Sequence, residues 1–108
     1  MLDIKAVSTN MDHVSDIALW VAHYRAIESQ RPDALFKDRL APVLVDDRGR
    51  RIAASMHSNS RCMEWSVVIR TAIIDELTYE LVKEGVDTVI NLGAGLDTRP
   101  YRLNLLQL

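Results

Sequence analysis

Two glycines separated by one residue, Gly93 and Gly95, lie near the C-terminal end of this 108-residue chain. They follow an apolar run and precede the predicted start of a helix. Glycine accepts positive φ and lets a ligand approach the backbone, because no side chain occupies that space. The free amides at the start of the helix would then face the ligand. The pattern predicts a small-molecule site, although such a turn can also be purely structural.

Two residues after the glycines, Asp97 and Thr98, discriminate between the ligands that such turns bind. Strand, Gly-x-Gly and helix occur together in nicotinamide, flavin and S-adenosylmethionine enzymes. Thr98 replaces the third glycine that packs beside a pyrophosphate in dinucleotide-binding sites. The Asp97 carboxylate would repel a pyrophosphate but tolerate a sulfonium or an ammonium group. Both residues favour S-adenosylmethionine, and a nicotinamide-dependent oxidoreductase is the weaker alternative.

Arg70 interrupts an apolar stripe on the longest predicted helix. The stripe consists of Met63, Val67, Ile74, Leu77 and Leu81. A guanidinium among apolar side chains needs a partner, and its planar fork can bind a ligand carboxylate through two hydrogen bonds. A structural ion pair with Asp75, Asp97 or another acid would satisfy Arg70 equally well. The sequence leaves both interpretations open.

Other kinds of chemistry lack the residues they need. His13, His23 and His57 have no partner at metal-ligand spacing, so no metal site is predicted. Cys62 is the single cysteine, which excludes a disulfide within the chain. No nucleophile and base pair is present, and no catalytic residue is predicted.

The elements that position these residues are mostly helices. Apolar spacings of three and four predict a helix over 15–30 that ends before Pro32, and a longer one over 61–84 that ends at Gly85. Between them we expect a short helix capped by Asp33 and limited by Pro42, a turn over 46–49, and an amphipathic piece through Ile52 and Met56. The run 86–92 predicts a buried parallel strand, and a final helix should begin with Thr98 as its cap and Pro100 in its first turn.

The residues Val89 to Arg99, with the sequence VINLGAGLDTR, closely resemble the first cofactor motif of the leucine carboxyl methyltransferase family. Three upstream segments resemble those that precede this motif in the family's bacterial branch: 25–29, 31–38 and 70–75. The resemblance covers most of the chain from about Ala18 to Leu103. One departure is Arg39, where bacterial members commonly have proline.

The resemblance implies an S-adenosylmethionine site. Arg70 would pair with the methionine carboxylate of the cofactor, and Lys37 would reach the same end. The cofactor-binding residues implied are Lys37, Arg70, Asn91, Gly93, Ala94, Gly95 and Asp97. Each polar member also has a structural interpretation: a solvated charge for Lys37, a polar strand residue for Asn91, and a helix-capping carboxylate for Asp97. Contacts to the ribose and adenine would come from residues after Leu108.

The fold class expected from these elements is α/β: an N-terminal helical segment that leads into the first strand and helix of a doubly wound, Rossmann-like methyltransferase sheet. Residues 1–85 would form the helical cap, and 86–108 the first strand, glycine turn and helix start of an incomplete cofactor domain. The chain would thus be a truncated, mostly α-helical piece.

The function expected of the longer parent enzyme is O-methyl transfer, with carboxyl methylation of a small molecule or a protein terminus favoured. The alternative is an inactive truncated module that serves as a helical oligomerisation or binding unit. A net charge of −2 argues against nucleic-acid and membrane-surface partners, and the absence of a signal peptide pattern indicates a cytoplasmic protein. We expect the chain to self-associate through its apolar tail: Leu103, Leu105, Leu106 and Leu108.

Overall fold

The computed structural model describes residues 14–55 and 60–105, and these residues are mostly helical. Five helices follow one another along the chain: α1 (Val14–Ser29), α2 (Ala41–Leu44), α3 (Asp47–Ser55), α4 (Ser60–Lys83) and α5 (Arg99–Arg102). No helix within these two ranges is both long enough and apolar enough to cross a membrane.

Helix α1 is the centre of the fold, because α2, α3 and α4 all pack against it. The buried apolar side chains come from all four helices and the loops between them: Ala22, Tyr24, Ala26, Phe36, Ala41, Val45, Ile52, Val67 and Val68. Helix α3 approaches α1 closely at Gly49, where an added Cβ would lie 2.9 Å from Val45 Cγ2 and 3.4 Å from Leu19 Cβ. The Arg48 guanidinium donates two hydrogen bonds, of 2.8 and 2.7 Å, to the buried Asp16 carboxylate and fixes the same crossing.

The two long helices confirm the predictions from apolar spacing to within one residue at each end. Gly85 follows α4 with a φ of 108°, the conformation for which glycine was predicted. The apolar face of α4 is only partly covered by α1. A row of large side chains on the outer face of α4 is exposed: Trp65, Ile69, Ile73, Leu77 and Leu81.

The segment between α1 and α3 differs from its prediction. The helix expected from Asp33 to Pro42 is wrong: residues 31–40 are irregular, and α2 begins at Ala41 with Pro42 in its first turn. The reason is that two buried carboxylates accept the hydrogen bonds of the local amides. Glu28 accepts from the Leu35 amide, and Asp38 accepts from the Leu40 and Ala41 amides.

The turn predicted over 46–49 is instead the start of a helix. The Asp46 carboxylate accepts a 3.0 Å hydrogen bond from the Gly49 amide, which is the interaction of a helix-capping residue. The amphipathic piece predicted through Ile52 is the rest of α3, whereas Met56 lies outside the described residues.

The strand predicted over 86–92 is not formed: within the described ranges no residue belongs to a β-strand. Ile90 is 78% and Leu92 88% exposed. A strand needs a neighbouring strand to pair its amides and carbonyl groups, and these ranges supply none. The doubly wound sheet therefore stays a prediction, and the observed architecture is helical.

Candidate functional site

A solvent-open cavity of about 440 Å³ lies between α1, α4 and the glycine turn. Ala18, Val21 and Arg25 of α1 face Arg70, Thr71 and Ile74 of α4 across it. The rest of its wall is formed by Ser15 and Ile17 of α1, by Asn91, by residues 93–97 and by Arg99. The structure thus brings together six of the seven residues predicted to bind a cofactor: Arg70, Asn91, Gly93, Ala94, Gly95 and Asp97.

The glycine turn has the backbone conformation that its sequence predicts. Gly93 and Gly95 have φ values of 62° and 55°, which are unfavourable for residues with a Cβ. The Asp97 amide donates a 3.0 Å hydrogen bond to the Ala94 carbonyl and closes the turn. A Cβ added to Gly95 would lie 3.5 Å from Ala18 Cβ, an ordinary contact. Backbone conformation, rather than lack of space, therefore requires glycine here.

Arg70 reaches the wall of the cavity without an acidic partner. Its side chain is exposed, and it forms no ion pair or hydrogen bond with any residue that the structure describes. The two carboxylates that could have paired with it are occupied by other groups. Asp75 binds Arg99 and Arg102, and Asp97 binds Arg99 and Asn91. The ion-pair interpretation of Arg70 therefore has no support in this part of the chain.

Arg99 links the turn to α4. Its Nε donates to Asp75 at 2.7 Å, and its Nη1 donates to Asp97 at 2.7 Å. The side-chain amide of Asn91 donates to the same oxygen of Asp97 at 2.6 Å. The other carboxylate oxygen of Asp97 accepts from the backbone amide of Arg99. Asp97 thus both lines the cavity and accepts a hydrogen bond from the first residue of α5, whose capping position is Thr98. Its negative charge is balanced by Arg99.

Lys37 lies away from the cavity. Its ammonium donates to the carbonyl oxygens of Ser29 at 2.9 Å and Arg31 at 3.1 Å, at the C-terminal end of α1. A cation at this end of a helix is favourable, because the last carbonyl groups have no partner within the helix. The contact between Lys37 and a cofactor remains a prediction.

The sequence did not predict the cluster of three buried polar side chains beneath the turn, which consists of Arg25, Asp38 and Thr98. Thr98 precedes α5 as predicted, but its hydroxyl makes no capping bond and instead donates to Asp38 at 2.6 Å. Arg25 donates to the same carboxylate from Nε at 3.0 Å. The available signal was the position of Arg25, which lies four residues after Val21 and so continues the predicted apolar face of α1.

The pKa of Asp38 lies below its ordinary value of 3.8. Burial acts to raise the pKa, but hydrogen bonds from Thr98, from the Ala41 amide and from Arg25 outweigh it. The carboxylate is therefore charged at neutral pH. In the described ranges no group of three or more side chains could hold a metal ion.

Residues 18–107 match the family model described as leucine carboxyl methyltransferase. The chain belongs to this family. Three bacterial proteins that are similar to the chain carry the name "Putative S-adenosyl-L-methionine-dependent methyltransferase". The Streptomyces coelicolor protein is 38% identical over 102 residues, which cover 80% of this chain and 33% of the relative. The Streptomyces avermitilis protein is 37% identical over 103 residues, covering 81% and 33%. The Mycobacterium marinum protein is 35% identical over 101 residues, covering 84% and 34%.

The chain spans about one third of the length of the curated relatives it matches. No solved structure matches it. The residues around the cavity nevertheless suit one end of S-adenosylmethionine. The Arg70 guanidinium is a suitable partner for a carboxylate, and the turn at Gly93 and Gly95 exposes backbone without side chains.

Proposed function

We propose that the chain forms the methionine-binding side of an S-adenosylmethionine site in an O-methyltransferase. The observation that carries the proposal is Arg70, a guanidinium without an acidic partner among the described residues, in the wall of the cavity that the glycine turn also lines. A charged donor held beside exposed glycine backbone fits a ligand that ends in a carboxylate.

Each wall of the cavity has a separate task in this proposal. Arg70 binds the carboxylate, the turn at 93–97 approaches the ligand through its backbone, and the apolar side chains of Val21 and Ile74 exclude water from one side. S-adenosylmethionine, when bound, supplies the activated methyl group. An acceptor carboxylate is already ionised at neutral pH, so methyl transfer to it needs orientation rather than a base. Carboxyl methylation is therefore the favoured reaction.

The proposal includes the Rossmann-like sheet of which residues 86–92 would be the first strand. Val89, Ile90 and Leu92 are exposed, as expected for an apolar segment whose partner strands lie elsewhere. Residues 1–85 would then be the helical cap, and 86–108 the beginning of the cofactor domain. With the ribose and adenine walls supplied from outside the chain, we expect the chain itself to bind S-adenosylmethionine only at roughly millimolar concentration.

A titration of the 15N-labelled chain with S-adenosylmethionine, followed by NMR, tests the proposal. We expect the amide signals of residues 93–97 to shift. Arg70→Ala should weaken the response roughly tenfold, because it removes one charge-assisted contact at an exposed site. Arg61→Ala, which removes an exposed arginine of the same helix, should leave the response unchanged. NADH should cause no shift. Equal responses of the two variants, or a response to NADH instead, would contradict the proposal.

The second candidate is a helical binding or oligomerisation unit without catalytic activity. It is favoured by the exposed apolar row on α4 and needs no ligand in the cavity. The same titration separates the two functions, since a purely structural unit would show no shift at the turn with either cofactor.

A further inference from the structure

Asp38 occupies a central position beneath the cavity. It lies in the loop between α1 and α2 and is only 1% exposed. One carboxylate oxygen accepts from the amides of Leu40 at 3.1 Å and Ala41 at 3.0 Å. The other accepts from Arg25 Nε at 3.0 Å and from the Thr98 hydroxyl at 2.6 Å. All of its contacts come from hydrogen-bond donors, so the site accommodates an acceptor only.

The contacts of Asp38 reach the glycine turn by two routes. Thr98, at the end of the turn, is bonded directly to the carboxylate. Arg25 extends the second route, because its Nη2 donates at 2.5 Å to the carbonyl oxygen of Leu96. Leu96 and Thr98 are more than 50 residues away from Asp38 in sequence, so these bonds fix the turn relative to α1 rather than shaping it locally.

The charge of Asp38 matters most for the route through Arg25. Arg25 is itself buried, and loss of its counter-charge would leave an uncompensated guanidinium inside the protein. Such a guanidinium must find water or another acceptor, and either movement disturbs its bond to the Leu96 carbonyl. The second ion-pair group, centred on Asp75, binds Arg99 and Arg102 and so fixes the residues that follow the turn. Asp38 makes the corresponding connection to α1, through its hydrogen bond from Arg25.

We infer that Asp38 is a positioning residue of the cofactor site: through Thr98 and Arg25 it sets the placement of the glycine turn. Asp38 is absent from the wall of the cavity and so acts without touching a ligand. That this turn binds a cofactor rests on the proposed function, whereas the chain of contacts from Asp38 to Leu96 does not depend on it.

The test compares Asp38→Asn with Asp16→Asn in the 15N-labelled chain, without any ligand. In either orientation the NH2 group of the asparagine would face donors, either Arg25 and Thr98 or the backbone amides of Leu40 and Ala41, and the negative charge beside Arg25 would be lost. Asp16 is a matched control, since it is also a buried aspartate paired with an arginine, but it joins α1 to α3. In Asp38→Asn we expect shifted signals over 93–98 and roughly tenfold faster hydrogen exchange of the Asp97 amide. Asp16→Asn should leave these signals unchanged. Turn signals that coincide between wild type and Asp38→Asn would overturn the inference.

A second variant covers the case in which Asp38→Asn fails to fold by circular dichroism. Thr98→Val keeps the approximate shape of the side chain and removes only the hydroxyl that donates to Asp38. We expect wild-type helix content with shifted signals at Leu96 and Asp97. Unchanged turn signals in a folded Thr98→Val variant would overturn the inference.

Titration with S-adenosylmethionine then separates this inference from the proposed function. If the cofactor binds, Asp38→Asn should weaken the response roughly tenfold and Asp16→Asn should not. A turn that moves in Asp38→Asn in a chain that does not respond to S-adenosylmethionine supports the inference and contradicts the proposed function. A normal response together with an unmoved turn contradicts the inference alone.

Discussion

At the scale of single residues, the arginines near the glycine turn are paired with carboxylates, and Arg70 is the exception. Arg25, Arg99 and Arg102 all bind buried or half-buried aspartates, whereas Arg70 binds no acid that the structure describes. Buried ion pairs add little net stability compared with apolar packing, but removal of one partner is costly. These pairs are therefore best understood as fixing geometry.

The pH dependence of stability follows from the lowered pKa of Asp38. A carboxylate whose folded-state pKa is depressed stabilises the fold fully above its ordinary pKa of 3.8 and loses this contribution as the pH falls through the lower folded value. The difference in unfolding free energy between wild type and Asp38→Asn should therefore shrink as the pH is lowered from about 5 to about 2. Urea unfolding at a series of pH values measures it. Glu76→Gln, at an exposed position of α4, is the control for loss of one carboxyl group. A difference that stays constant over this range would show that the charge of Asp38 is not what matters.

The sequence indicates the candidate site residues more clearly than the side chains that support them. The glycines, Arg70 and Asp97 were found because their types are unusual in an apolar context, and the structure places all of them in one cavity. Asp38 was not found, because a Lys-Asp-Arg run on a surface loop looks the same as one with a buried aspartate. Only the bonds from residues 25 and 98 reveal its burial, and such distant contacts leave no local pattern.

At the scale of helices, local rules succeeded where apolar spacing was long and failed where side chains replaced backbone hydrogen bonds. Helices α1 and α4 were predicted closely. The helix predicted from Asp33 to Pro42 was wrong, because Glu28 and Asp38 accept hydrogen bonds from backbone amides of residues 35–41. The strand predicted over 86–92 is not formed for a different reason, since its pairing partner is not among the described residues. Intrinsic preference therefore decides an element only when nothing outside it competes for its hydrogen bonds.

At Gly49, where α1 and α3 cross, we predict a change in stability opposite to the one that helix propensity alone would give. Gly49→Ala would raise the preference for helix by about 1 kcal/mol. The new methyl group would lie 2.9 Å from Cγ2 of the buried, β-branched Val45, and overpacking of this kind costs about 1–3 kcal/mol. We expect net destabilisation, measured as a lower urea midpoint.

A double-mutant cycle identifies the cause. Val45→Ala removes the atom that the new methyl group would meet, so Gly49→Ala should be less damaging in the Val45→Ala background. An equal loss in both backgrounds would mean that contact with Leu19, rather than Val45, limits the space at position 49.

At the scale of the whole molecule, the described residues expose many large apolar side chains. The outer row of α4 and the segment 86–92 together contribute most of the large exposed apolar side chains after residue 60. The chain spans about one third of its relatives' length, and a surface of this kind fits the helical flank of a larger assembly. Of the apolar tail predicted to be exposed, Leu103 and Leu105 are half-buried and residues 106–108 lie outside the described part.

We expect the 108-residue chain to self-associate through the outer row of α4. Light scattering should report a dimer or a larger species. Replacing Ile73 and Leu77 with lysine should lower the mass towards that of a monomer, because both side chains are about half exposed at the centre of the row. Glu76→Lys adds the same group to an exposed site of the same helix and should leave the mass unchanged. A wild-type chain that runs as a monomer at all concentrations would contradict the expectation.

The position of Ala18 beside Gly95 has a consequence for which residues the chain could carry there. Ala18 Cβ lies 3.5 Å from the place where a side chain at position 95 would begin, and it lies on the helix that anchors the turn through Arg25. A valine or leucine at position 18 would extend into the turn and compete with any ligand for the same space. Selection for ligand binding would thus restrict position 18 to glycine, alanine or serine, whereas selection for helix formation alone would also accept leucine and methionine. The residue types acceptable at position 18 of α1 would thus depend on ligand binding at a turn more than 70 residues away in the sequence.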